Sequence, residues 1–326
     1  MDSFTQALIF ATVAITAFLV TQAILPFLQA RAILDHPNER SSHDTPTPKG
    51  GGLALIAVVL AGWVATGLYL ESSAFLTWAL PGSALALAGL SWMDDLHGLP
   101  PVTRLIAQIT SVTFILLLRS TPEAFFQGLL PHTLDTLLAG IVWVWFINLF
   151  NFMDGIDGIT GIKTITIGVG IALIGNGVEA LLGGILAAAA AGFLKWNWHP
   201  AKVFMGDVGS IPLGFLLGWL LLNIAGDGHW AAAIILPAYY LTDATITLIR
   251  RAFKGENLWH AHRQHFYQQA VQRGLSHAKV SSMVFFLGVL FIVLAWFAEQ
   301  GWPLIALSAT LTLTVSFLFL LKGRQS

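Results

Sequence analysis

The sequence predicts an all-α polytopic membrane protein of about eleven transmembrane helices, with a periplasmic N-terminus and a cytoplasmic C-terminus. Three observations carry that prediction. Of 326 residues, 56% are hydrophobic and only 10% charged, at a mean hydropathy of +0.74, whereas charged residues make up roughly a quarter of an average soluble domain. Apolar runs approaching the ~20 residues that a bilayer-crossing helix needs recur along the whole chain. Finally, the Lys and Arg residues fall almost entirely into alternate connections between those runs.

Taken in order, the runs are Phe4 to Ala30, Gly51 to Leu70, Phe75 to Trp92, Val102 to Leu118, Thr136 to Phe152, Ile159 to Gly175, Val178 to Leu194, Ile211 to Ala225, Ala231 to Ile249, Val280 to Phe297 and Pro303 to Leu321. The sixth to eighth are short and rich in glycine and alanine. Gly183, Gly184 and the Ala187 to Ala191 run predict helices whose backbones approach closely, as small residues allow in membranes. Short connections rich in Lys and Arg stay cytoplasmic. Arg31, Arg40 and Lys49 follow the first run, Arg104 the third, Lys163 the fifth, and Lys195 with Lys202 the seventh. Arg250, Arg251, Lys254, Arg263, Arg273 and Lys279 follow the ninth, and Lys322 with Arg324 the last. That places fifteen of the 16 basic residues on one side and leaves Arg119 on the other, a parity that a wrong helix count would scramble.

Met1-Asp2-Ser3 lacks a basic leader and the first run exceeds a signal-peptide core, which predicts an uncleaved first helix. The chain reads as one integral membrane domain over 1–326, with working loops at 35–50, 93–101, 153–158, 196–210 and 250–279, all on the cytoplasmic side. The lack of cysteine excludes disulfides, thiolate metal sites and a cysteine nucleophile. A net charge of -1 excludes the basic surface that a nucleic-acid polymer requires.

Carboxylates share the cytoplasmic side. Asp94 and Asp95 end the third run, Asp154 and Asp157 end the fifth, and Asp207 precedes the eighth. Gathered together they would raise one another's proton affinity unless a cation neutralised them, and hard oxygen ligands suit Mg²⁺. Helix termination in water is the plainer use of such acids. In Asn148-Leu149-Phe150-Asn151-Phe152-Met153-Asp154-Gly155-Ile156-Asp157-Gly158, residues Asn148, Asn151 and Asp154 fall on one helical stripe. Polar groups there bind a ligand or join neighbouring helices. Phe204-Met205-Gly206-Asp207-Val208-Gly209-Ser210 sets an acid between glycines at a helix start, where free amides attract phosphate, and the Phe204 ring can stack on a base. In the first loop, Arg40 and Lys49 are natural phosphate partners, His43 lies between them, and Gly50-Gly51-Gly52 offers unobstructed amides. The last loop carries His260, His262, Arg263 and His265, which suit a diphosphate or acid–base work better than zinc.

As an ordered set, these motifs resemble the polyprenyl-phosphate N-acetylhexosamine-1-phosphate transferase family. The first loop is similar to the family's D-x-P-N-x-R-x-x-H-x-x-P-x-P-x-G-G, and the Asp94-Asp95 pair, the Asn148 to Gly158 element, Phe204 to Ser210 and the histidine-rich loop follow in the family's order. The resemblance implies that Asp207, with Asp94, binds Mg²⁺, for which Mn²⁺ can substitute. It implies that Phe204 stacks on uracil and that Asp154 and Asp157 line the nucleotide pocket. Asp94 and Asp95 would orient or deprotonate the lipid phosphate, and the final-loop histidines would meet the sugar-nucleotide diphosphate. Asp94, Asp95, Asp157, His262 and His265 are thus the expected catalytic residues; Arg40, His43, Lys49, Asn148, Asn151, Asp154, Phe204, His260 and Arg263 are expected to bind substrate. Here Arg263 and Gln264 separate His262 from His265, where the family has H-x-H-H. That variant resembles the branch that starts O-antigen synthesis, some members of which use UDP-FucNAc or related sugars.

The implied reaction is attack of undecaprenyl phosphate on the β-phosphorus of a UDP-N-acetylhexosamine, releasing UMP in the bacterial inner membrane, in one step or through a phosphorylated aspartate. A homodimer is compatible with it. The rival from another class is a secondary transporter, for which Asp243 is the one acid placed well inside a run.

Overall fold

A computed structural model describes residues 2–35, 37, 45–119, 124–258 and 262–323. It is a helical bundle of α1 (Ser3–Ala30), α2 (Gly52–Tyr69), α3 (Leu80–His97), α4 (Pro101–Leu118), α5 (His132–Phe152), α6 (Ile159–Ile174), α7 (Gly177–Asn197), α8 (Asp207–Ile224), α9 (Trp230–Ile235), α10 (Ala238–Phe253), α11 (Phe266–Gln272), α12 (His277–Glu299) and α13 (Pro303–Lys322). π-helical turns at Phe75–Ala79 and Ala225–His229 lead into α3 and α9. The first loop adds a two-residue antiparallel pair, β1 (Leu34–Asp35) with β2 (Thr47–Pro48).

The chain is a multi-pass membrane protein. Among the described residues nine helical stretches are long and apolar enough to cross a bilayer, and α6 is a shorter apolar helix. Gly226-Asp227-Gly228 breaks the helical path between α8 and α9, with Gly228 non-helical at φ +104°, where the sequence places a connection between the eighth and ninth runs. The expected ninth run then breaks at Leu236-Pro237. Pro237 brings no N–H, and the Leu236 carbonyl at the break accepts a 2.7 Å hydrogen bond from Lys163 Nζ. Lys163 is therefore buried in α6 and 1% exposed, not a loop residue, so it leaves the set of loop charges from which the topology was read.

Sequence order explains the packing. α8 is the central helix, with Leu213, Phe215, Leu216, Leu217 and Leu220 fully buried. α6 and α7 meet through glycine: a Cβ on Gly168 would lie 2.6 Å from the Gly183 carbonyl. Gly184 and Gly192 likewise admit Phe10 and the Ala14 backbone of α1, as the small-residue pattern predicted. α1 turns Phe4, Leu8 and Ile15 outward, as a lipid-facing helix should. At the end of the bundle away from the acidic loops, Asp135 accepts the Phe125 and Phe126 amides at 2.9 and 3.0 Å and closes the α4–α5 connection.

Candidate active site

The end of α3, the start of α4, the end of α5 and the start of α8 converge on one cluster. Arg104 Nη1 donates to Asp94 Oδ2 at 3.0 Å and to Asp207 Oδ2 at 2.9 Å, tying three helices through one nitrogen. Asp94 also accepts the Leu99 amide across the α3–α4 turn, where Gly98 at φ +70° reverses the chain. Asn151 Nδ2 donates to Asp207 Oδ1 at 2.8 Å and to Ser210 Oγ at 2.9 Å. Asn151 thus meets the acid cluster. Its stripe neighbour Asn148 instead donates to Gln108 Oε1 at 2.6 Å and to the Val144 carbonyl, the helix-joining use of a polar stripe.

Asp95 takes the position that the sequence suggested for a phosphate. It accepts the Asp207 and Val208 amides at 3.3 and 3.0 Å, so the N-terminus of α8 is capped by a carboxylate of α3. Gly206, at φ +75°, makes this approach possible, since a Cβ there would lie 2.7 Å from Asp95 Oδ2. Lys49 Nζ stands 3.9 Å from Asp95 Oδ1. The glycines after Lys49 are not free amides either: Gly51 and Gly52 donate to the Phe204 and Met205 carbonyls at 2.9 Å each, and Phe204 N donates to the Pro48 carbonyl at 2.8 Å. The triple glycine serves to lay the first loop against the 204–209 segment, with Gly52 directly against Gly209. Phe204 itself is half-buried.

Asp154 completes the acidic group from the turn after α5. Burial, and then the nearby charges of Asp207 and Asp95, push its carboxyl up to about 7 despite a hydrogen bond from Thr160. Lys49 and Arg104 therefore do not fully balance the charge of Asp94, Asp95, Asp154 and Asp207. This all-oxygen donor set with surplus negative charge fits a hard divalent cation.

Asp157 faces other partners. Its carboxylate is paired with His199 at 2.6 Å and His277 at 3.2 Å and accepts the Ala201 amide at 3.2 Å. Burial opposes ionisation there, but His277, His199 and the amide outweigh it and hold the carboxyl below its ordinary value. In the last loop, His265 is 2% exposed and anchored on Asp243 at 3.2 Å, so it is a packed group rather than one open to solvent. The partly exposed His262 lies against it with ring centroids 4.9 Å apart. Burial, then the His265 and Arg251 charges, bring His262 down to about 4, and its Nδ1 accepts the Gln264 amide at 3.2 Å. Arg263 is partly exposed, and its carbonyl accepts Gln272 Nε2 at 2.8 Å. Arg40, His43 and His260 lie outside the described residues. Asp243, on which a transporter would rely, is fully buried and accepts hydrogen bonds from Tyr239, Thr247 and the Phe266 and Tyr267 amides. It caps α11, a structural use that its hydrogen bonds fully account for. Sequence reading missed Arg104, taken only as a topology charge, and His199.

An apolar groove of about 490 Å³ runs between α5, α8, α9 and α10, lined among others by Trp143, Phe146, Leu221, Ile234, Pro237 and Leu241. It suits an aliphatic chain.

Residues 75–225 match the family described as Glycosyl transferase family 4, a segment that holds every cluster residue except Lys49. The chain is 28% identical over 333 residues to a Bacillus subtilis (strain 168) protein named probable undecaprenyl-phosphate N-acetylglucosaminyl 1-phosphate transferase, covering 96% of this chain and 88% of that one. It is 26% identical over 318 residues to the decaprenyl-phosphate N-acetylglucosaminephosphotransferase of Mycobacterium leprae (strain TN), covering 86% and 80%. It is 28% identical over 266 residues to the phospho-N-acetylmuramoyl-pentapeptide-transferase of Mycobacterium bovis (strain BCG / Pasteur 1173P2), covering 64% and 72%.

Proposed function

We propose that this chain, which belongs to Glycosyl transferase family 4 through residues 75–225, transfers an N-acetylhexosamine-1-phosphate from a UDP-sugar to undecaprenyl phosphate. The products are UMP and the undecaprenyl-diphosphate-sugar that initiates O-antigen or a related envelope polysaccharide. The observation that carries this reading is the Arg104 bridge between Asp94 and Asp207, with Asp95, Asn151 and Asp154 around it. Acids from separate helix ends are held together at one end of the bundle, as two phosphate-bearing substrates and a divalent cation require. The names of the relatives, two N-acetylglucosamine-phosphate transferases of undecaprenyl and decaprenyl phosphate and a phospho-N-acetylmuramoyl-pentapeptide transferase, support the same class.

Phosphoryl transfer leaves a protein mainly positioning and charge stabilisation to perform. Arg104 and Lys49 present positive charge where phosphate oxygens arrive, and Arg104 offers the guanidinium geometry that suits them. Asp94 and Asp95 would orient or deprotonate the lipid phosphate, and Asp154 adds to the acidic surface that lines the nucleotide side. Asp94, Asp95 and Asp207 would hold Mg²⁺, which when bound neutralises charge on the diphosphate. His262, whose Nδ1 accepts the Gln264 amide, would offer its Nε2–H as a donor to the diphosphate, with Arg263 beside it to meet the sugar nucleotide. Phe204, beside Asp207 in sequence, would stack on the base. The prenyl chain lies in the groove of α5, α8, α9 and α10, its headgroup at the cytoplasmic end. With Lys163 set aside, fourteen of the remaining fifteen basic residues still fall on one side, and that bias supports the orientation in a bacterial inner membrane.

The test is to incubate the detergent-purified chain with undecaprenyl phosphate, Mg²⁺ and a panel of UDP-N-acetylhexosamines, including GlcNAc, FucNAc and QuiNAc, and to measure UMP. Lipid-dependent UMP release from at least one donor is expected. Donor uptake into liposomes with no UMP from any donor would overturn the reading.

A further inference from the structure

Three residues beyond Asp154 in the same turn, Asp157 sits in a second cluster, with partners of its own. Its Oδ2 is 2.6 Å from His199 Nδ1 and its Oδ1 is 3.2 Å from His277 Nδ1, and the two imidazoles lie with ring centroids 5.1 Å apart. One donor atom from each residue falls within 4.8 Å of the other two. A tetrahedral zinc ion with bonds of about 2.0–2.2 Å holds its ligand atoms roughly 3.3 Å apart, a spacing that small side-chain rotations of these three residues reach.

Three further observations agree with that. The donor chemistry differs from the Asp94–Asp207 cluster: two imidazoles with one carboxylate suit zinc-class ions, whereas all-carboxylate oxygen suits magnesium. Among the described residues, the hydrogen-bond and ion-pair partners of the Asp157 carboxylate are imidazoles and an amide, with no Lys or Arg. The frame is also fixed from outside, as metal ligands need. Ser281 Oγ donates to the Asp157 carbonyl at 2.8 Å, and Asn197 accepts the Gly158 amide at 3.1 Å while donating to the Val203 carbonyl at 3.0 Å. Asp157 and His277 are buried, but the His199 side chain is 38% exposed, which leaves solvent access for a fourth ligand.

We propose that Asp157, His199 and His277 form a second cation site, of the Zn²⁺ class, that clamps the 153–158 turn, the 198–206 loop and the start of α12 together. The first two of these segments lead directly to Asp154 and Asp207, so the clamp sets the carboxylate site without touching substrate.

The test uses the full-length, untagged chain in detergent, dialysed against Zn²⁺ or Co²⁺ in excess Mg²⁺, with bound metal measured by mass spectrometry. One equivalent of Zn²⁺ should be retained, and Co²⁺ should give the visible absorption of a tetrahedral site. His199→Ala, at the half-exposed ligand, and His277→Gln should each lower bound metal at least about tenfold, as loss of a ligand does, while Asp207→Asn keeps it. Size-exclusion and melting profiles of His199→Ala establish that the fold is retained. No retained metal, or equal retention by His199→Ala, would overturn the proposal. Metal content is read without turnover, so its failure leaves the transferase reading intact, and an inactive chain that binds zinc leaves the clamp intact.

Discussion

Replacing Arg104 with glutamine separates a structural role from a catalytic one. The Nη1 nitrogen sits 3.0 Å from Asp94 and 2.9 Å from Asp207, with the arginine side chain 30% exposed and the acids 8% and 26% exposed. A charged hydrogen bond contributes about 1.5–3 kcal/mol where water is excluded. Solvent screening at this exposure brings the two together to about 1–2 kcal/mol, a few degrees of melting temperature. A charge aimed at developing phosphoryl charge contributes more, about 2.7–4 kcal/mol or 10²–10³-fold in turnover. Arg104→Gln is therefore predicted to melt only slightly below the parent while UMP release falls about 10²-fold or more at saturating donor. Arg104→Lys should recover only part, because one ammonium cannot reproduce the guanidinium fork. The paired assay is UMP release with thermal unfolding in the same detergent. Turnover of Arg104→Gln within about threefold of the parent, under ~1 kcal/mol of barrier, would refute the reasoning.

Other residues give independent checks. Gly206→Ala places a methyl 2.7 Å from Asp95 Oδ2 at φ +75° and should cost about 1–2 kcal/mol from backbone strain alone; melting with the parent at full activity would contradict the α8 cap. Gly52→Ala meets the Gly209 backbone, which cannot rotate aside, so a loss of about 1–3 kcal/mol or more is expected, read as lower melting temperature and monodispersity. His262 has its folded value brought to about 4 against 6.5 when free. Between those values the unfolded chain binds the proton and the folded chain does not, so stability is full above pH 6.5 and falls as pH drops toward 4. His262→Gln should flatten that slope in melting temperatures measured across the window, and an unchanged slope would rule out the neutral, buried imidazole.

What could be read from the residues alone was whatever is local. The apolar runs located the helices within a few residues, and acids at helix ends pointed to one face because a helix end and a short loop leave few other places for them. Small residues in α6 and α7 announced close packing for the same reason. Long-range pairings were hidden. Nothing near Asp157 in sequence shows that His199 and His277, dozens of residues away, reach its carboxylate. Lys49-Gly50-Gly51-Gly52 reads as a phosphate loop until the Phe204 and Met205 carbonyls are seen to take its amides. Arg104 entered only a topology argument because its two partners come from different helices. The ninth run reads straight through Pro237, and the α6 lysine that meets the Leu236 carbonyl beside it is announced by no local pattern, so Lys163 reads as a loop charge.

Pulsed EPR of the purified chain with Mn²⁺ and its UDP-sugar tests most directly whether a cation held by these acids bridges to substrate. The parent should show phosphorus hyperfine coupling to the bound Mn²⁺, and Asp207→Asn should lose it. A donor-bound parent without phosphorus coupling, or coupling unchanged in both Asp207→Asn and Asp94→Asn, would contradict it.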